Sequence, residues 1–200
     1  IAQVSRSQQL LFITSEGRSF SLSLEQLKKD KGYGEPLNLM IGTGNVTSIV
    51  SILPFHHEGK ALIFSKKGLG FAIDFSSLQS STKIGKQIFE LSEGDKVIGL
   101  KEINGDTVIV LSSSFKMLIF SATELPLLKK GKGVRLQRYK GETLLDAMIF
   151  SQNQKDNVIL KKLFAKHEDI RYWKGKRGLV GKTLPKKLLK KKMTKFEDLL

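Results

Sequence analysis

The side chains able to do covalent or metal chemistry are few. There are three histidines, His56, His57 and His167, and their spacing fits no metal-ligand pattern. Cysteine is absent, which removes disulfides, thiolate metal sites and a cysteine nucleophile. The run Gly178-Leu179-Val180-Gly181-Lys182-Thr183 ends like a phosphate-binding loop. The full pattern needs glycine where Lys176 stands, and no strand pattern precedes it, so it is rejected. No Gly-x-Ser-x-Gly elbow exists. The tyrosines, Tyr33, Tyr139 and Tyr172, lack the setting of an activated nucleophile. No catalytic or metal residue is therefore expected in this chain, and its chemistry has to be sought in its charge.

The chain carries 34 Lys and Arg against 19 Asp and Glu, a net charge of +15. The excess is uneven: residues 1–100 hold 11 basic and 9 acidic side chains, residues 101–200 hold 23 and 10, and residues 155–200 alone hold 15 and 5. Such asymmetry points to a polyanionic partner, of which nucleic acid is the commonest. Duplex DNA presents a negative charge every ~1.7 Å of axis, and lysines that neutralise phosphates release counterions without reading sequence. Trp173 beside Tyr172 has the chemistry to stack on bases, but core packing is the better reading of it.

Those cations must be held by a scaffold, and the scaffold repeats. Leu11-Phe12-Ile13-Thr14 followed by Gly17, Phe20, Leu22 and Leu27 returns 51 residues later as Leu62-Ile63-Phe64-Ser65 with Gly68, Phe71, Ile73 and Leu78. It returns again after 47 residues as Ile109-Val110-Leu111-Ser112 with Phe115, Leu118, Phe120 and Leu125. A second motif, Gly34 with Leu37, recurs as Gly85 with Ile88, Gly133 with Leu136 and Gly181 with Leu184. A fourth unit would open at Val158-Ile159-Leu160, without a matching turn glycine. Within each unit the apolar runs are short, rich in Ile, Val, Leu and Phe, and bounded by turn residues, as strands are. Thr14–Arg18 and Ser65–Leu69 are hairpin turns, and Ser92-Glu93-Gly94-Asp95 precedes a strand at Lys96–Leu100. Helical signals are weak: one turn near Leu24–Lys29 and a candidate at Lys186–Leu200.

Units of this size with about four strands predict an all-β, propeller-like fold of about four repeated four-stranded blades, 47–51 residues each. The domain spans residues 1–185, in units near 1–52, 53–103, 104–150 and 151–185, followed by a basic tail at 186–200. Ile1 falls one period before Ile52, so the chain is expected to begin inside a unit, as a fragment of something longer. No apolar run approaches the ~18 residues of a membrane span and no signal peptide is visible, so a cytoplasmic protein is expected. Blade rims would present cations at regular spacing. The hairpin turns offer Arg18, Lys66, Lys67 and Lys116. Lys31, Lys83, Lys86, Lys130, Lys132, Arg135 and Arg138 flank the repeated glycines, with Lys182 in the fourth unit. The glycines themselves are expected to serve backbone bends.

The chain resembles the C-terminal domains of bacterial type IIA topoisomerase A subunits, those of topoisomerase IV and gyrase. The resemblance lies in Phe12–Arg18, in Gly85-Lys86-Gln87-Ile88 with Glu93–Leu100, in Gly131–Lys140, and in Trp173–Arg177 with Gly181–Pro185. It implies a β-pinwheel whose blades exchange a strand, binding double-stranded DNA around a basic edge and bending it. The gyrase type carries a Gln-Arg-Arg-Gly-Gly-Lys-Gly box; the nearest stretch here, Leu128–Gly133, lacks the Gln, both Arg and the paired Gly, which favours the topoisomerase IV type. The resemblance further implies a parent ATP-dependent type II topoisomerase acting in decatenation and supercoil relaxation, near the nucleoid. Its catalytic tyrosine, Mg²⁺ and ATP sites would lie in other domains. Its partners would be a second A subunit, together with an ATPase B subunit. Two alternatives remain: a gyrase A domain, or a protein-binding β-propeller with a basic tail. A basic perimeter supports DNA binding, whereas an apolar or mixed central patch supports the protein binder.

Overall fold

The computed structural model describes residues 8–26, 36–41, 48–80, 82–151, 170–185 and 195–199. Lys31, Gly34 of the first glycine motif, His167, the opening of the fourth unit and the lysine run 186–194 lie outside the described residues.

Three four-stranded antiparallel sheets follow one another along the chain. The first joins β1 (Gln9–Thr14), β2 (Arg18–Ser23) and β3 (Ile49–Pro54); the second β4 (Lys60–Ser65), β5 (Leu69–Asp74) and β7 (Val97–Glu102); the third β8 (Thr107–Ser112), β9 (Lys116–Ser121) and β11 (Leu144–Phe150). The fourth strand of each sheet comes from the next unit. Thus β6 (Lys86–Gln87) completes the first sheet, β10 (Val134–Arg135) the second and β12 (Lys182–Thr183) the third. This is the strand exchange of a pinwheel, and it makes every blade depend on its successor. Strand β7 lies against both β3 and β11, so the third strand of each unit faces its neighbours and the exchanged strand forms the outer edge.

Strands β4 and β8 are buried on both faces, which is why their sequences are continuous apolar runs rather than alternating ones. Ile13, Ile63, Phe71 and Phe89 pack between the first and second sheets, with the Phe71 and Phe89 rings stacked at 5.3 Å. Leu62, Phe64, Val108, Phe120 and Leu136 fill the space between the second and third. Each hairpin turn closes alike, with Gly17, Gly68 and Phe115 donating their N–H to the carbonyls of Thr14, Ser65 and Ser112. Gly17 and Gly68 have φ of 78° and 79°, and Phe115 holds the same left-handed position at 60°, a conformation costly for a side chain. The expected turn after β2 is a 3₁₀ turn at Leu24–Gln26. At the end of the chain a 3₁₀ turn, Phe196–Leu199, packs on the third sheet: Phe196 is buried and its N–H bonds Asp146 Oδ2 at 2.9 Å. No helix among the described residues is long and apolar enough to cross a membrane.

Candidate nucleic-acid interface

The outer edge is built by the same device three times. An incoming segment pairs with the second strand of the preceding unit, bulges into a loop, turns at a glycine and pairs again. For the second blade, Pro126–Leu128 bonds Ala72, residues 129–133 bulge, and Val134–Arg135 pair with Gly70 and Leu69. For the third, Trp173 and Gly175 bond Ile119, residues 176–181 bulge, and Lys182–Thr183 pair with Met117 and Lys116. For the first, the Ser80 N–H bonds Ser21 Oγ and Lys86–Gln87 pair with Ser19 and Arg18. The repeated glycines explain themselves here. Gly85, Gly133 and Gly181 have φ of 71°, 73° and 79°, and each presses on the preceding blade. A Cβ at Gly133 would stand 2.8 Å from the Gly70 carbonyl oxygen, so the exchanged strand could not seat. Beyond the exchanged strand, the N–H groups of Ile88, Leu136 and Leu184 bond the carbonyls of Gly17, Gly68 and Phe115, and their side chains are buried.

Each bulge also docks on the segment left by the previous crossover. Gly131 exchanges backbone bonds with Ile88 and Glu90; Gly178 donates to the Leu136 carbonyl, and Arg138 donates to that of Leu179. The hairpin turn of one unit and the glycine motif of the next, remote in sequence, therefore meet on one edge.

The predicted cations fall into two groups. Several are engaged. Lys116 Nζ bonds Glu142 Oε1 at 2.6 Å, and this bond with that from Ser114 holds the Glu142 carboxyl below the usual carboxylate range. Lys67 Nζ bonds the Glu93 carbonyl, Lys86 Nζ the Ser77 carbonyl at 2.7 Å, and Lys130 pairs with Glu90 at 3.3 Å. Lys182 Nζ stands 3.9 Å from the centre of the Tyr172 ring. Arg18 is half-buried at the start of β2. The other group is exposed: Lys66 on the second hairpin turn, Lys83 before Gly85, and Lys132, Arg135 and Arg138 around Gly133. No ion pair holds any of these five among the described residues.

Residues missed in the sequence complete the edge. Arg177 lies one 48-residue period after Lys129, a shift that could have found it. Its Nε donates to the Glu124 carbonyl at 3.0 Å and its Nη1 to that of Arg135 at 2.7 Å, clasping the third blade's loop to the second's. Trp173 is buried in the third core, whereas Tyr172 is exposed. His56 and His57 are exposed and lie edge-on to Phe75 and Phe55. No group of three or more potential metal ligands exists among the described residues.

Strand-exchanged, four-stranded blades with cation-bearing crossover loops define a domain of the β-propeller class. The model of the family described as DNA gyrase C-terminal domain, beta-propeller, matches residues 8–33, 60–104 and 106–151, and the chain belongs to that family. It is similar to the A subunit of DNA topoisomerase 4 from Rickettsia conorii, 35% identical over 191 residues, covering 92% of this chain and 25% of that protein. The same subunit of Caulobacter vibrioides is 32% identical over 180 residues, covering 88% of this chain and 23% of that one. The chain thus spans about a quarter of the length of these relatives. Among solved structures, the E. coli ParC C-terminal domain shares the fold with a TM-score of 0.75 at 22% identity, covering 92% of this chain and 80% of that one.

Proposed function

We propose that this domain binds double-stranded DNA without sequence preference along its outer edge and bends it. It would serve as the accessory C-terminal domain of a topoisomerase IV-type A subunit, presenting DNA segments to a cleavage core during decatenation and supercoil relaxation. The observation that carries this reading is the edge itself: Lys132, Arg135 and Arg138 are exposed and unpaired by any carboxylate described, while Arg177 fixes the neighbouring loop against them. Cations fixed by backbone pairing keep their spacing along a phosphate backbone, and sequence-independent affinity follows from counterion release. The family and the topoisomerase 4 relatives support the same reading. The remaining chemistry, with Mg²⁺ and ATP, a second A subunit, and the ATPase B subunit, would belong to the parent enzyme in the cytoplasm at the nucleoid.

The test is a set of binding isotherms on a duplex at several salt concentrations. With about 6–10 phosphates contacted, affinity falls by roughly 10³–10⁵ between 50 and 200 mM salt. A flat salt response, or strong preference for one sequence, overturns the proposal.

A further inference from the structure

The edge that carries the cations also carries exposed apolar side chains, and their placement follows the repeat. Ile84, immediately before Gly85, is 72% exposed, the highest among the large hydrophobic residues described. The equivalent residue of the third blade's loop is Val180, before Gly181; it is 37% exposed and its neighbour Leu179 50%. In the blade between them the same position is Lys132. At this position of the repeat the edge therefore presents an apolar tip, then a lysine, then an apolar tip, while Leu127 on the second crossover segment is 48% exposed.

These tips are held in place by their backbone. Gly85 turns with its N–H on the Thr82 carbonyl at 3.1 Å, where a Cβ would run into the Phe20 ring. The Val180 carbonyl accepts from Gln137 Nε2 at 2.6 Å and the Leu179 carbonyl from the Arg138 N–H at 3.0 Å. Side chains so fixed lose little entropy on contact. Both tips keep exposed apolar surface, although the Leu179 side chain also lies over Gly175 of its own loop, and Lys132 stands between them at the same position of the repeat. Exposed lysines flank both, Lys83 beside Ile84 and Lys176 beside the Leu179–Val180 pair, which suits a polyanion and opposes an apolar protein face. Duplex DNA is the polyanion that also accepts an apolar side chain: residues such as Ile and Leu enter the minor groove between base steps and kink it.

We infer that Ile84 and the Leu179–Val180 pair are apolar wedges that enter the minor groove on either side of the segment neutralised by the second blade's basic loop. This rests on the DNA-binding reading above and adds to it how the bend is made. Each wedge unstacks a base step at one end of that segment and kinks the duplex there toward its major groove.

The experiment uses the whole chain with Ile84→Ser, with Leu179→Ser plus Val180→Ser, and with all three. Conservative variants Ile84→Leu and Val180→Ile are the controls. The probes are a duplex containing 2-aminopurine, for unstacking, and an end-labelled duplex for the bend by energy transfer. The wedge predicts roughly ten- to hundredfold weaker binding in the triple variant, the burial of large aliphatic side chains being lost. It also predicts loss of the 2-aminopurine fluorescence rise, a smaller bend and an unchanged salt slope, with both controls like the parent. Unchanged fluorescence and bend in the triple variant overturn the inference, as does a salt slope that falls in step with affinity, since the tips would then be acting on phosphate contacts. A parent chain that fails to bind duplex overturns the DNA reading itself, which separates the two failures.

Discussion

The unpaired cations of the second blade's edge should outweigh an equal number of engaged ones. The perturbation is Lys132→Ala, Arg135→Ala and Arg138→Ala together, against Lys67→Ala, Lys86→Ala and Lys116→Ala together. Both remove three charges, so net charge is matched. The first three have no carboxylate partner described, whereas the second three are held by the Glu93 carbonyl, the Ser77 carbonyl and the Glu142 carboxylate. Each lost phosphate contact lowers the slope of log affinity against log salt by about 0.9, so three remove about 2.7. At 0.1 M salt that slope alone is worth about 500-fold in affinity. The engaged set must first break its own bonds to reach a phosphate and should lower the slope by less than about 1. The assay is duplex affinity by anisotropy from 50 to 300 mM salt, with a thermal melt of each variant. Exposed side chains away from the core change stability by roughly 0.5 kcal/mol or less, so the first set should stay folded. Equal slope losses in the two sets would refute the reasoning: the field would be diffuse, and hydrogen-bond geometry would not decide which cations bind.

Gly133→Ala should destabilise the chain by at least about 1–2 kcal/mol, because it places a Cβ in left-handed backbone and against the Gly70 carbonyl; denaturant titration measures it. Burial, then the charge of Glu142, pushes the Tyr139 phenol far above its ordinary value. The folded state therefore favours the neutral phenol, and stability present below pH ~10 is lost as pH rises beyond it. Tyr139→Phe should remove that alkaline loss in urea unfolding from pH 8 to 11. The Glu142 carboxyl, bonded by Lys116 and Ser114, is depressed, so its contribution is present above pH ~4.3 and lost as pH falls. Glu142→Gln should flatten the acid limb by less than about 1 kcal/mol, because solvent screens the pair. Fused to a gyrase cleavage core, the domain should not introduce negative supercoils, since the paired-glycine box is missing; efficient supercoiling in a topology assay would contradict this.

The repeat and its contents can be read from the residues themselves. The shifts linking Thr14–Gly17 to Ser65–Gly68 mark hairpins because a left-handed turn and a short apolar run are local properties. The exposed rim cations were legible as charge excess in the right motifs. Which sheet each motif serves is settled only by contacts between distant segments. Gly133 and Arg135 belong by sequence to the third unit, yet they complete the second sheet, because two-residue strands carry no pairing preference until a neighbour's edge is present. Contacts between distant segments also sorted the cations, which no count of lysines could do: Lys116 meets Glu142 only once the chain has returned to the third sheet, and Lys130 meets Glu90 across units. The end of the chain shows the same limit. Phe196 in a lysine-rich tail has no periodic signal, and only the Asp146 carboxylate and the apolar face of the third sheet make it part of the core.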